Sequence, residues 1–168
     1  MVFRLETERL VIDELEDSDV LGLLEVWGDP ILMEYYPRTY ALSDVEALIT
    51  RQRKRYTELG YGLWALRDRT TGLLLGDTGL IPQTIDDVAE LEIGWHIRRD
   101  HRGQGLVPEA ARACLEWAFG VLGRERMISL IRPVNVPSRR VAEKLRMTVE
   151  KEAIHAGLAH SVFVRGPF

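Results

Sequence analysis

The segment Asp100-His101-Arg102-Gly103-Gln104-Gly105-Leu106-Val107-Pro108-Glu109-Ala110-Ala111 constrains this chain most, because it sets two glycines and a run of free amides directly before an amphipathic helix. Gly103 and Gly105 can take backbone angles closed to other residues and let a ligand approach the main chain. The helix start behind them carries partial positive charge and unsatisfied N–H groups, which makes the loop a cradle for phosphate or pyrophosphate. Pro108 suits that first turn, where its missing amide proton costs nothing.

Glycine loops occur in unrelated folds, so the surroundings decide. A nucleotide-hydrolase loop needs Lys and then Ser or Thr after its last glycine, and Leu106 and Val107 stand there instead. A dinucleotide fold wants a third glycine and an early place in a repeated strand and helix pattern, whereas this loop lies past mid-chain behind several strands. On this segment alone, an ordinary strand-to-helix turn without a ligand stays open.

The strand before the loop runs Ala89 to Ile97, with Leu91, Ile93, Trp95 and Ile97 on one face and Glu90 and Glu92 on the other. Gly94 inside it predicts a bulge or a close approach by a ligand or another backbone. Upstream, the pattern predicts a strand over Leu10–Leu15 and a helix over Asp17–Trp27 closed by Gly28-Asp29-Pro30. A second helix opens at Ser43 with Glu46 at capping-box spacing and stops at Gly60. Strands follow over Tyr61–Arg67 and Leu73–Ile81, turning at Asp68 to Gly72. The long helix, about Pro108 to Leu122, carries an apolar stripe of Ala110, Ala113, Cys114, Trp117, Ala118 and Val121. Met127 to Ile131 reads as a strand, Asn135 caps a shorter helix, and strands near Met147–Ile154 and Ser161–Val164 finish a mixed sheet flanked by helices.

A Glu-bearing strand, a Gly-x-Gly loop opening a helix, a further strand and Asn135-Val136-Pro137-Ser138-Arg139-Arg140-Val141-Ala142-Glu143-Lys144-Leu145-Arg146-Met147 together resemble the GNAT superfamily of acetyl-CoA-dependent N-acetyltransferases, RimJ/RimL type. Glu6-Thr7-Glu8-Arg9-Leu10-Val11-Ile12 is similar to its first strand, and Gly60-Tyr61-Gly62-Leu63-Trp64-Ala65 with Thr71-Gly72 to its second strand and turn. The resemblance covers nearly the whole chain, residues 1–168, as a single domain. It implies an α/β fold: one mixed, mostly antiparallel sheet of six to seven strands, about four helices, and acetyl-CoA in a V-shaped gap between strands 4 and 5.

The resemblance also assigns roles. Backbone groups of Trp95 and Ile97 would pair with the pantetheine arm, and amides of Arg102, Gly103, Gln104, Gly105, Leu106 and Val107 would hold the pyrophosphate, with Asn135 and Ser138 beside the cofactor. The amide of His96 or Ile97 would hold the oxyanion. A free alkylamine is mostly protonated at neutral pH, so a base is needed, and Glu92 is the candidate, with Glu90 second. A solvated strand carboxylate is the competing role for Glu92. The superfamily often has a Tyr where Ala142 stands, which leaves Ser138 or water to protonate the thiolate; helix capping is the alternative role for Ser138. Arg146 replaces a usual Gly at a helix end, and Asp100 replaces a usual Arg or Gln; Arg139 and Arg140 reach phosphates or stay solvated.

The expected reaction moves acetyl from acetyl-CoA to a primary amine, a protein N-terminus or a small molecule. A non-catalytic acyl-CoA-binding or regulatory module is the alternative, and aminoglycoside modification a third reading that requires an acidic pocket around Glu34, Glu90 and Glu92. The loop Met33 to Arg38 is the acceptor-side candidate or simple packing, and Arg51, Arg53, Lys54 and Arg55 form a basic helix face. A net charge of -4 argues against a dedicated nucleic-acid binder. The four histidines lack paired metal-ligand spacing, so no metal is expected. Cys114 is a lone thiol on the apolar stripe, and the opening Met1 to Glu6 has no apolar signal core. With no apolar run near the roughly 18 residues of a membrane span, a cytoplasmic protein is expected, as monomer or homodimer.

Overall fold

Apolar alternation like that of Leu91–Ile97 recurs along the chain, and each run joins one sheet. In the computed structural model, which describes residues 2–168, the strands are β1 (Arg4–Glu6), β2 (Leu10–Asp13), β3 (Leu63–Asp68), β4 (Leu74–Ile85), β5 (Val88–Ile97), β6 (Met127–Ile131), β7 (Thr148–His155) and β8 (Leu158–Arg165). The helices are α1 (Val20–Trp27), α2 (Leu42–Leu59), α3 (Leu106–Gly120) and α4 (Val136–Lys144). Among the described residues the sheet has eight strands in the order β1-β2-β3-β4-β5-β6-β8-β7. Neighbours are antiparallel except β5 and β6, which are parallel and joined at Glu92↔Ile128. The ladder does not continue to Trp95 or Ile97, and beyond the pair side chains take over. Ser129 Oγ donates to the Ile93 carbonyl at 3.1 Å, and the Glu92 carboxylate accepts the Leu130 amide at 3.2 Å.

The expected six to seven strands become eight because β1, three residues long, is too short to show alternation. It shifts the count, so the gap expected between strands 4 and 5 lies between β5 and β6. Gly94 makes no bulge with β4, whose register with β5 runs unbroken from Gly76↔Ile97 to Ile85↔Val88. What comes close is a side chain and not a backbone, since a Cβ on Gly94 would sit 3.1 Å from Ile81 Cδ1. Helix ends also move. The Asp44 carboxylate accepts the Ala41 amide at 2.8 Å, so α2 begins at Leu42 and not on a Ser43–Glu46 box. A separate 3-10 turn, Asp17–Asp19, precedes α1. α3 starts two residues before Pro108 and ends at Gly120, leaving Val121 67 % exposed and outside the buried stripe of Ala110, Ala111, Cys114, Leu115 and Ala118.

The stripe of α3 packs with Leu91, Ile93, Trp95 and Ile97 on one face of the sheet, while α1 and α2 cover Leu63, Ala65 and Leu74 on the other. Phe3 stacks on Trp64 at 3.7 Å, and Trp117 of α3 meets Trp64 edge-on at 5.5 Å, which ties the N-terminal edge to α3. Arg146 has φ of 57°, the left-handed helix end expected of a Gly, and its amide donates to Glu143 O at 2.9 Å. No helix among the described residues is long and apolar enough to cross a membrane.

At Gly76 the two longest strands come closest, and a Cβ there would lie 2.1 Å from the His96 carbonyl oxygen. No side-chain rotation relieves a backbone contact. Gly76→Ala is therefore expected to cost about 2 kcal/mol, lowering Tm by roughly 4–8 °C in a melting experiment; an unchanged Tm would show that β4 and β5 can separate there freely.

Candidate active site

The glycine loop follows a 3-10 turn, Arg99–His101, and reaches α3 through two left-handed residues, Gly103 (φ 73°) and Gly105 (φ 75°). Nothing lies within 4 Å of a Cβ on Gly103, and Arg9 alone comes near one on Gly105, at 3.5 Å, so the cradle is open to a ligand. It is also braced from β2's side. Arg9 Nη1 donates to the Gln104 carbonyl at 2.8 Å, while Glu109 in the first turn of α3 accepts the Thr7 hydroxyl (2.6 Å), the Arg9 amide (3.0 Å) and Arg9 Nε (2.7 Å). Burial pushes the Glu109 carboxyl up, but the Thr7 and Arg9 hydrogen bonds outweigh it and hold the group below the ordinary range. Sequence reading missed the Arg9 brace, because its partners lie about a hundred positions away and no local pattern links them.

A cavity of about 300 Å³ runs from this cradle along the split in the sheet. Trp95, His96, Ile97, Arg102, Gly103, Gly105, Leu106, Val107, Asn135 and Ser138 all line it; Gln104 does not. Because the Ile93 carbonyl points to β6, strand alternation aims the backbone groups of Trp95 and Ile97 at the same edge, into the gap. Asn135 caps α4 by accepting the Ser138 amide at 3.2 Å, and Arg140 and Lys144 put two cations along the wall. Arg139 turns away to the Pro133 carbonyl.

A second cavity, about 280 Å³, opens on the α1–α2 face. Its walls are aromatic, with Trp27, Tyr35, Tyr36 and Tyr40 among them, and Glu92 is the one acid among the described residues lining it. Glu92 is 8 % exposed; Gln83 Nε2 donates to it at 2.7 Å and the Leu130 amide at 3.2 Å. Burial raises its carboxyl to about 7, against the opposing pull of those two donors and of His96. It is no solvated strand carboxylate. Glu90 is held by Arg126 at 2.9 Å, an ion pair that Glu150 shares, and stays out of the cavity. Glu34 is exposed and also absent from the lining.

The two cavities share Tyr35, Tyr36, Trp95, His96, Asn135 and Ser138. At this junction lies a chain of hydrogen bonds that the sequence did not disclose. Asp77, fully buried, accepts the Trp27 indole at 2.7 Å on Oδ2 and contacts His96 Nδ1 at 2.8 Å on Oδ1; His96 Nε2 lies 2.6 Å from the Tyr36 hydroxyl. The antiparallel pairing Asp77↔His96 sets the first two side by side, while α1 and the loop after it bring Trp27 and Tyr36. Register was the needed signal.

The split sheet thus holds an amide cradle in one cavity and a buried carboxylate in the other, and the two cavities meet at a common wall. The Acetyltransferase (GNAT) domain profile matches residues 9–148, and the chain belongs to that family of acyltransferases. It is 36% identical over 151 residues to the uncharacterized protein YkkB of Bacillus subtilis (strain 168), covering 88% of this chain and 87% of that one. Among solved structures, an acetyltransferase from Agrobacterium tumefaciens str. C58 superposes with TM-score 0.87 at 24% identity, covering 99% of this chain and 96% of that one. Mycobacterium smegmatis RimJ in complex with CoA-disulfide superposes with TM-score 0.74 at 15% identity, covering 98% and 86%. At these identities the two structures speak to the fold alone.

Proposed function

We propose that residues 1–168 act as one cytoplasmic domain that transfers acetyl from acetyl-CoA to a primary amine by direct attack within a ternary complex. The observation that carries this reading is the meeting of two cavities at Trp95, His96 and Ser138, which lets donor and acceptor react without a covalent enzyme intermediate. Coenzyme A fits the first cavity chemically: the open amides of Gly103 to Val107 suit its pyrophosphate, Arg102, Arg140 and Lys144 add positive charge, and the unpaired edge at Trp95 and Ile97 suits its amide-bearing arm. RimJ of M. smegmatis, which shares the fold, was solved with a coenzyme A derivative. The acetyl group supplies the electrophilic carbonyl.

Glu92 takes the proton that turns the incoming ammonium into an amine, and a carboxyl held near 7 divides its time between both forms at neutral pH. The amide of His96 or Ile97 holds the developing oxyanion. Aromatic walls and one carboxylate favour a single amine on an apolar body, a peptide N-terminus or a small amine. A polycationic aminoglycoside is disfavoured, because two of the three acids it needs lie elsewhere.

Thiol release from acetyl-CoA, measured against N-terminal peptides, simple amines, polyamines and aminoglycosides, tests this, with calorimetry of coenzyme A binding alongside. Turnover with apolar monoamines or peptides is expected. Tight binding without turnover on any acceptor would favour the non-catalytic acyl-CoA-binding module, and activity confined to aminoglycosides would overturn the acceptor assignment.

A further inference from the structure

We propose that Tyr36 and His96, oriented by Asp77, form a proton relay that carries the amine's second proton to the departing thiolate. The relay rests on the acetyl-transfer reading above. Its polarity follows from the hydrogen bonds. Both Asp77 oxygens are buried acceptors, one facing the Trp27 indole and the other His96 Nδ1, so Nδ1 holds the ring proton and Nε2 is left as an acceptor. The 2.6 Å contact then has the Tyr36 hydroxyl donating to Nε2. Tyr36 lines both cavities, so its oxygen can accept a proton from one substrate and give one to the other.

Acylating an amine removes two protons from nitrogen, and one leaves before attack, to Glu92. After attack the N–C bond exists and the former carbonyl pair sits on oxygen, with one proton still to lose. That proton passes to the Tyr36 oxygen as the Tyr36 proton passes to His96 Nε2, giving an imidazolium that faces the Asp77 carboxylate. When the oxyanion's pair re-forms the C=O bond, the C–S bond breaks with its electron pair going to sulfur, and the sequence reverses: Nε2 returns its proton to Tyr36, and Tyr36 protonates sulfur. One proton has moved from nitrogen to sulfur, and both side chains end as they began. Asp77 is a positioning residue; Tyr36 is the catalytic one.

Other features agree. Desolvation of its hydroxyl at the junction of the cavities, with the Glu92 and Asp77 carboxylates near, holds the Tyr36 phenol above the ordinary range although the residue as a whole is 37 % exposed, so it rests as the neutral phenol. The charged and polar groups around His96 are Asp77 from β4, Tyr36 from the loop after α1, the Trp27 indole from α1 and Glu92 from its own strand. Ala142, where a donor would stand on α4, is fully buried and lines neither cavity.

Tyr36→Phe keeps the ring and removes the relay's moving atom. For the best amine, kcat is expected to fall roughly 100- to 1000-fold, with coenzyme A affinity by calorimetry within about threefold of wild type. A second readout needs no acceptor. Thiolate absorbance of bound coenzyme A gives its thiol titration; when the thiol ionises, the Tyr36 hydroxyl turns from Nε2 to donate to sulfur, so its loss is expected to raise the midpoint by about one pH unit. His96→Gln, which leaves Tyr36 in place, is expected to reproduce the loss of kcat and stands in if the Tyr36 variant folds poorly. Wild-type kcat in either variant overturns the relay while leaving acetyl transfer intact. If the wild type binds coenzyme A but acetylates nothing, the acetyl-transfer reading fails and the relay fails with it; identical thiol midpoints in wild type and Tyr36→Phe overturn the relay alone and leave acetyl transfer intact. No coenzyme A binding by the wild type overturns both.

Discussion

Glu92→Gln will lower kcat by roughly 100- to 10,000-fold, the usual worth of a positioned base, and will make the protein more stable above neutral pH. The two effects have one cause. The carboxyl is buried among aromatic walls, and burial lifts it to about 7 from the ordinary range near 4.5. Between those values the folded chain holds a proton that the unfolded chain has released, so stability falls as pH rises through that window. Above pH 7 the buried carboxylate therefore costs about 3 kcal/mol. Gln removes that cost. It keeps an acceptor for the Leu130 amide, and its own amide can face Gln83 with one flip. The expected record at pH 8 is a Tm at least about 5 °C above wild type, together with loss of the rise in kcat/KM expected of wild type as pH climbs through 7. At pH 4 the two proteins should melt alike. A variant with full turnover and a flat pH profile would remove Glu92 from the chemistry, and a lower Tm at pH 8 would show that the carboxylate is not strained there.

How much of this was legible beforehand depended on sequence distance. The loop from Asp100 to Ala111 and the Glu-bearing strand before it declare their local geometry within a dozen residues, through glycine spacing and two-residue alternation, and the fold follows from such local patterns repeated. Glu92 facing away from Leu91 and Ile93 is the same alternation read once more. What stayed hidden is held by register and by long reach. Asp77 and His96 are ordinary residues until β4 and β5 pair in the register that opposes them, and a shift of one residue would turn their side chains to opposite faces. Arg9 and Glu109 are a hundred positions apart. Glu90 and Glu92 look equivalent in sequence, and only Arg126, arriving just before β6, separates a carboxylate held in an ion pair from a buried one held by the neutral donors Gln83 and Leu130. Ser43, a good cap by type, is passed over because the chain enters α2 two residues earlier, with Asp44 closing on the Ala41 amide.

Gly105→Glu will weaken coenzyme A binding at least about 100-fold, a loss near 3 kcal/mol that combines three physical terms. Gly105 is the residue before α3 with φ of 75°, where an L side chain costs roughly 1–2 kcal/mol of backbone strain. The new Cβ would stand 3.5 Å from Arg9 Nη2, so the added carboxylate would compete for the guanidinium that braces the Gln104 carbonyl and Glu109. Its charge would also occupy the positive end of α3, the seat proposed for the pyrophosphate. Gly105→Ala isolates the first term and is expected to weaken binding by no more than roughly 5- to 30-fold. Acetyl-pantetheine, which carries the thioester and the arm but no phosphate, separates the seat from the gap: its affinity should be nearly the same in wild type and Gly105→Glu. Equal loss for both donors would mean that the substitution distorts the split between β5 and β6 instead of the cradle. Undiminished coenzyme A affinity in Gly105→Glu would place the pyrophosphate away from the loop altogether, leaving Arg140 and Lys144 on α4 as the cations that hold it.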